Sequence, residues 1–153
     1  MAIYLVQHGK SLSKAQDPQK GLSAQGIEDV RRIAQVAAGY GVEVSEIRHS
    51  GKQRALQTAQ IMGDILAPEK GVRPDQGLNP MDDVKIYSQT LDFSSNSMIV
   101  GHLPFLEKLA AYLVTGQQEG PIFQLQNGGI LCLGNYRDSD RAAILWAIMP
   151  NIG

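Results

Sequence analysis

Two five-residue runs constrain the fold of this chain more than anything else in it. "IYLVQ" at residues 3–7 and "SMIVG" at 97–101 are β-prone and apolar without the alternation that marks a strand wetted on one face. A strand of that kind is covered on both sides, as in a parallel sheet between helical layers. Between the runs the period changes. Ser23 is placed to cap a helix from about residue 24, in which Ile27, Val30, Ala34 and Ala37 recur at helical spacing before Gly39 and Gly41 stop it.

"VSEIRHS" reads as a short second strand, and Ala55, Ala59, Met62 and Leu66 mark the buried stripe of a following helix. A brief extended piece near Val72 precedes a weaker helix over 84–92, carried by Val84, Tyr87 and Leu91. Pro104 suits the first turn of a later helix whose core face is Leu106, Leu109, Ala110 and Leu113. "GGILCLGNY" and "AAILWAIM" flank "RDSD" as an antiparallel hairpin. Alternating strands and helices predict a three-layer α/β/α sandwich, its sheet mainly parallel with antiparallel strands added late.

At 153 residues and 43% hydrophobic, the chain suits one domain spanning 1–153 with a single real core. Fourteen basic against 15 acidic residues leave a net charge of −1, so no broad field invites nucleic acid or anionic lipid. The single Cys132 excludes an internal disulfide framework, and its apolar surroundings suit an inert thiol. "MAIYLVQHG" has no basic n-region and too short an apolar run for a signal peptide or a membrane span, so a cytoplasmic protein is expected.

Ligands of open α/β sheets bind beyond the carboxyl ends of the strands. His8 directly follows the first strand, and His102 directly follows "MIVG". Arg54 falls in the first turn of the helix after "EIRHS", with Ser50 and Lys52 just before it. Two imidazoles and a guanidinium are therefore expected on one edge, beside helix N-termini that attract anions. A neutral imidazole is a competent nucleophile near neutral pH, and cations close by hold its pKa down. Zinc is the rival use of two histidines, but no carboxylate or thiolate lies near them at ligand-like spacing, so no metal is expected. No Gly-x-Gly-x-x-Gly or P-loop pattern follows a strand, so no nucleotide cofactor is expected either.

"LVQHGKS" resembles the strand-loop signature of the histidine phosphatase (phosphoglycerate mutase-like) superfamily, usually Leu-Val-Arg-His-Gly. "HSGKQRALQTA" is similar to its arginine motif and "IVGHLPFL" to its second-histidine motif, with "GLSAQG" and "GLNPMDDV" in the expected order. The length and the "GHLP" form are most similar to the SixA-type phosphohistidine phosphatases. The resemblance implies His8 as the nucleophile that becomes phosphorylated, Arg54 and His102 as clamps on the phosphoryl oxygens, and phosphate contacts from Gln7, Gly9 and Lys10. It implies hydrolysis without metal or organic cofactor, with inorganic phosphate released from a phosphorylated protein or a small phosphoester.

Two departures from that pattern bear on function. Gln7 stands where relatives carry arginine, so a charged fork becomes at most one neutral donor. Lys10 stands where relatives carry an acidic residue, and with Lys52 it is a candidate to supply part of the missing field, its other reading being a side chain turned to solvent. Asp82 and Asp83 are the only nearby candidates for an acid that protonates a leaving group, their other role being to cap the helix at 84–92. An alkoxide, with a conjugate-acid pKa comparable to water's roughly 15.7, needs such an acid. An imidazole, at about 6.5, needs it far less. A short chain without a lid favours phosphohistidine on another protein, or another activated phosphate, over a small metabolite. The competing expectation is a phosphate- or phosphoprotein-binding module that lost turnover with its arginine. Ser50 is expected to cap a helix, its other role being a hydrogen bond within the pocket loop, while His49 is expected to end the second strand at the cleft rim and Trp146 to sit in the core.

Overall fold

A computed structural model describes residues 1–152. Six strands, β1 (Ile3–Gln7), β2 (Glu46–His49), β3 (Val72–Pro74), β4 (Ser97–Gly101), β5 (Ile130–Asn135) and β6 (Ala142–Ile148), form one sheet in the order β3-β2-β4-β1-β5-β6. The first four in that order run parallel, and β5 and β6 join antiparallel. Helices α1 (Ala24–Gly39) and α2 (Gln53–Leu66) pack together on one face. On the other lie α3 (Val84–Ser88) and α4 (Phe105–Thr115). The expected α/β/α sandwich is the observed one.

The strands feed the two layers by their two-residue alternation. Tyr4 and Val6 of β1, with Met98 and Val100 of β4, meet Val30, Ile33, Ala55, Ala59 and Met62 on the α1–α2 side. Ile3 and Leu5 of β1, with Ile99 of β4, meet Leu106, Leu109 and Phe105 on the other. That double burial is why β1 and β4 are apolar throughout. Each fully buried Leu, Ile or Phe here contributes about 1.5–3 kcal/mol. Cys132 is buried in the first cluster, and burial pushes its thiol up to about 11, as suits an inert position. No described helix is long and apolar enough to cross a membrane.

Local rules account for most element boundaries. Ser23 caps α1 by accepting from Gly26 N–H, and Asp83 caps α3 by accepting from Lys85 N–H. The helix expected over 84–92 stops at Ser88, because the hydroxyls of Ser88 and Thr90 take the carbonyls of Lys85 and Tyr87. Trp146 is half-buried, not fully interior: it tilts against Tyr4 at 5.8 Å near the sheet's β6 edge.

Gly26 is where α1 touches the loop that leaves β1. A Cβ there would lie 2.1 Å from the carbonyl oxygen of Lys10. The neighbouring Gly9 is also tight, though less so, its would-be Cβ 2.8 Å from Val30 Cγ2. Gly26→Ala is therefore expected to destabilise the chain by about 1–3 kcal/mol, outweighing alanine's better helix propensity of at most about 1 kcal/mol. At about 2–4 °C per kcal/mol, a thermal melt reads this as a loss of several degrees. A melt equal to the parent's would show that the loop does not depend on this close approach.

Candidate active site

β1 and β4 are sheet neighbours in parallel register, Gln7 opposite Gly101, so the residues after each strand emerge side by side. The rings of His8 and His102 accordingly stand 5.1 Å apart, centroid to centroid, at 53°. Arg54, in the first turn of α2, reaches the same place, for its charge lowers the pKa of both imidazoles. Its guanidinium makes no ion pair among the described residues.

His8 is held from four directions. Its own N–H donates to Gly101 O at 3.0 Å, and its carbonyl accepts from Asn127 Nδ2 at 2.9 Å. Gly9 N–H donates to the buried hydroxyl of Thr58, which in turn donates to Arg54 O, so the loop is tied to the helix that carries the arginine. Most informative is the contact of His8 Nδ1 with Gly9 O at 2.7 Å. A carbonyl only accepts, so Nδ1 carries the proton and Nε2 keeps its lone pair. Burial first, then Arg54 and Lys20, lower the pKa of His8 below the ordinary histidine range, against the Gly9 bond that raises it.

His102 is almost wholly buried. Burial, followed by the charges of His8, Arg54, Lys52 and Lys20, drives its pKa down to about 3. Both rings are thus neutral at pH 7. Nε2 of His102 is 2.6 Å from Ser50 Oγ, while its Nδ1 is buried with no partner among the described residues. The amide oxygen of Gln7 is likewise buried and unpartnered. Orphaned polar atoms of this kind cost about 1–3 kcal/mol each, and two at adjacent strand ends mark a place completed by something else.

Several sequence expectations need correcting here. Ser50 does not cap a helix: the cap of α2 is Lys52, and Ser50 is turned toward His102. His49 ends β2 as expected but is buried, not at the rim, where its Nδ1 accepts from Gly51 N–H and shapes the turn. Lys10 is exposed and is anchored through its carbonyl to Ser23. The lysines whose charge acts on the imidazoles are Lys20 and Lys52. Asp82 accepts from Asn79 N–H at 2.8 Å and lines, with Asp83 and Tyr87, a concavity of about 450 Å³ beside α3.

Sequence reasoning missed Lys20, Thr58 and Asn127. Thr58 carried a signal, lying one helical turn beyond Arg54 in the same motif. Lys20 and Asn127 arrive only through tertiary folding. Among the described residues, no group of three or more His, Cys, Asp or Glu side chains converges as metal ligands.

The model of the histidine phosphatase superfamily, branch 1, matches residues 3–90. The phosphohistidine phosphatase SixA of Escherichia coli is 28% identical over 123 residues, covering 76% of each chain. A protein of Picosynechococcus is 29% identical over 143 residues, 87% of this chain and 84% of that one. Among solved structures, the protein histidine phosphatase SixA complexed with tungstate superposes with a TM-score of 0.82 at 26% identity, over 98% of this chain and 97% of that one.

Proposed function

The chain belongs to the histidine phosphatase superfamily, and from that premise we propose that it hydrolyses phosphohistidine on a protein through a phosphorylated His8. The observation that carries this reading is the Nδ1–Gly9 O contact, which leaves Nε2 as a neutral, unprotonated nucleophile beside Arg54 and His102. In the first step the bond between phosphorus and the substrate imidazole breaks as the bond from phosphorus to His8 Nε2 forms. In the second, water adds to phosphorus, Nε2 departs with its electron pair, and inorganic phosphate is released.

Arg54 places its guanidinium on the equatorial oxygens, where charge develops during transfer. With the Ser50 hydroxyl donating to Nε2 of His102, the ring proton sits on Nδ1, and that otherwise unpartnered nitrogen becomes a donor to a phosphoryl oxygen. Gln7 and the Gly9 loop line the same anion. Lys20 and Lys52, whose charges act on His102, share the field that the family's missing arginine would have supplied.

Substrate class follows from the leaving group. Asp82 and Asp83 are engaged in local turns, so the proposed reaction uses neither as an acid. An imidazole with a conjugate-acid pKa of about 6.5 departs without one. The kinship with a SixA phosphohistidine phosphatase supports the same class. The test is trapping of the phosphoenzyme by an alkaline denaturing quench with a phosphohistidine protein, run beside 3-phosphoglycerate and a sugar phosphate. A base-stable phosphoenzyme, and turnover fastest on the phosphohistidine protein, are expected. Faster turnover of either phosphoester would reassign the substrate, and binding without any phosphoenzyme would make the chain a binding module.

A further inference from the structure

Beside Arg54 the surface falls into an open groove of about 650 Å³, within the roughly 300–1,000 Å³ of ligand-binding clefts. Lys14, Lys20, Lys52 and Arg54 line it together with the neutral Gln19 and Gln53, and no acidic side chain does. This is a concentrated positive field on a chain whose net charge is −1. The ion pairs among the described residues lie elsewhere, joining Arg32 to Asp29, and Arg48 and Arg73 to Glu46 and Asp75. None of the four groove cations is neutralised.

The groove is built, not incidental. Its outer wall is the loop between Leu12 and Gly21, closed by Leu12 N–H on Gly21 O and pinned to α2 by Leu22 N–H on Gln57 Oε1 at 2.6 Å. The loop's one acid, Asp17, could have cancelled the lysines. Its carboxylate instead accepts from Gln19 and Gly21 N–H, outside the groove lining and in no ion pair with the lysines. Lys20 is presented from a left-handed backbone conformation, φ 52°, which a non-glycine residue adopts at a cost of about 1–2 kcal/mol. The inner wall is the start of α2, whose first turn holds no acid and whose cap makes no side-chain hydrogen bond.

One phosphoryl group at His8 is served by Arg54 and His102 within the field of Lys20 and Lys52; Lys14 and the groove that extends toward it exceed what that group needs. We propose that this groove seats carboxylates flanking the phosphorylated histidine of a protein substrate, so that the enzyme selects phosphohistidines in acidic surroundings. The proposal rests on the function assigned above and adds its specificity. Mobile ammonium groups spread over an open groove suit scattered carboxylates of a protein surface, whereas the rigid, bidentate recognition of a second phosphate favours arginine. Charge complementarity of this kind governs partner choice and association rate.

The full chain carrying His8→Ala reads the groove by equilibrium binding, independent of turnover. The probes are two fluorescent peptides bearing a non-hydrolysable phosphohistidine analogue, one flanked by Asp and Glu, the other by Ser and Gln. At low salt the acidic peptide is expected to bind at least tenfold tighter. Lys14→Glu, and separately Lys14→Gln, should shrink that ratio, the glutamate to near unity, with a thermal melt reporting that each variant is folded. Equal affinity for both peptides, or a ratio indifferent to Lys14, overturns the proposal. So does a bisphosphorylated sugar that displaces the acidic peptide at lower concentration in a Lys14-dependent way. Should no phosphohistidine substrate be turned over by the parent, the assigned function fails while the peptide ratio still decides the groove.

Discussion

His8→Ala is expected to lower turnover of a phosphohistidine protein by ~10³-fold or more and to abolish the trapped phosphoenzyme, because the other neutral imidazole near the arginine, His102, has its unprotonated Nε2 occupied by the Ser50 hydroxyl. The fold should survive, since the loop at residue 8 is held by backbone bonds to Gly101 and Thr58 and by Asn127, none of which uses the ring. The parent's pH profile carries the same claim. Protonation removes the nucleophile's lone pair, and burial together with Arg54 and Lys20 lowers the pKa of His8. On the acid side kcat/KM should therefore stay level down through the ordinary histidine pKa of about 6.5 and fall only below it. An acid limb centred above that value would mean that the titrating group is not this ring. A phosphoenzyme persisting in the alanine variant would mean that the covalent step belongs to another residue.

The layers of this fold were legible because burial on both faces leaves an unmistakable mark in β1 and β4. What convergence of the two histidines required was less visible: β4 inserts between β2 and β1, a pairing of strands some 90 residues apart along the chain. The sheet-edge rule anticipated it, since both rings follow strands directly. Where local propensity competed with a tertiary partner, the partner won. Serine ahead of a helix ordinarily caps it, yet Ser50 turns to His102, and an extended Lys52 takes the cap position without a side-chain bond. Lys10 drew attention by proximity in sequence, but its backbone is clamped against α1 and its side chain faces out. Lys20, ten residues further on, returns to the site because its loop closes on itself and docks on α2. No periodicity records that return.

Arg54→Ala is the second large effect, and it separates electrostatic stabilisation from nucleophilicity. The guanidinium is half-buried and unpaired, and burial lowers its pKa without threatening its charge, since arginine stays protonated throughout the accessible range. Such a group acts most strongly where charge develops in transfer, so a loss of about 10²–10³-fold in kcat is expected, larger than the change in KM. Arg54→Lys should recover little of it, because an ammonium on a flexible stem cannot reproduce a planar fork. Gln7→Arg in the parent should act in the opposite sense. Exchanging a neutral donor for a charged one is worth about 1 kcal/mol, hence roughly a fivefold gain in phosphate affinity. If Arg54→Ala leaves kcat intact, the positive charge that matters must come from Lys20 and Lys52. If Gln7→Arg gains nothing, those lysines already supply what the family draws from its second arginine.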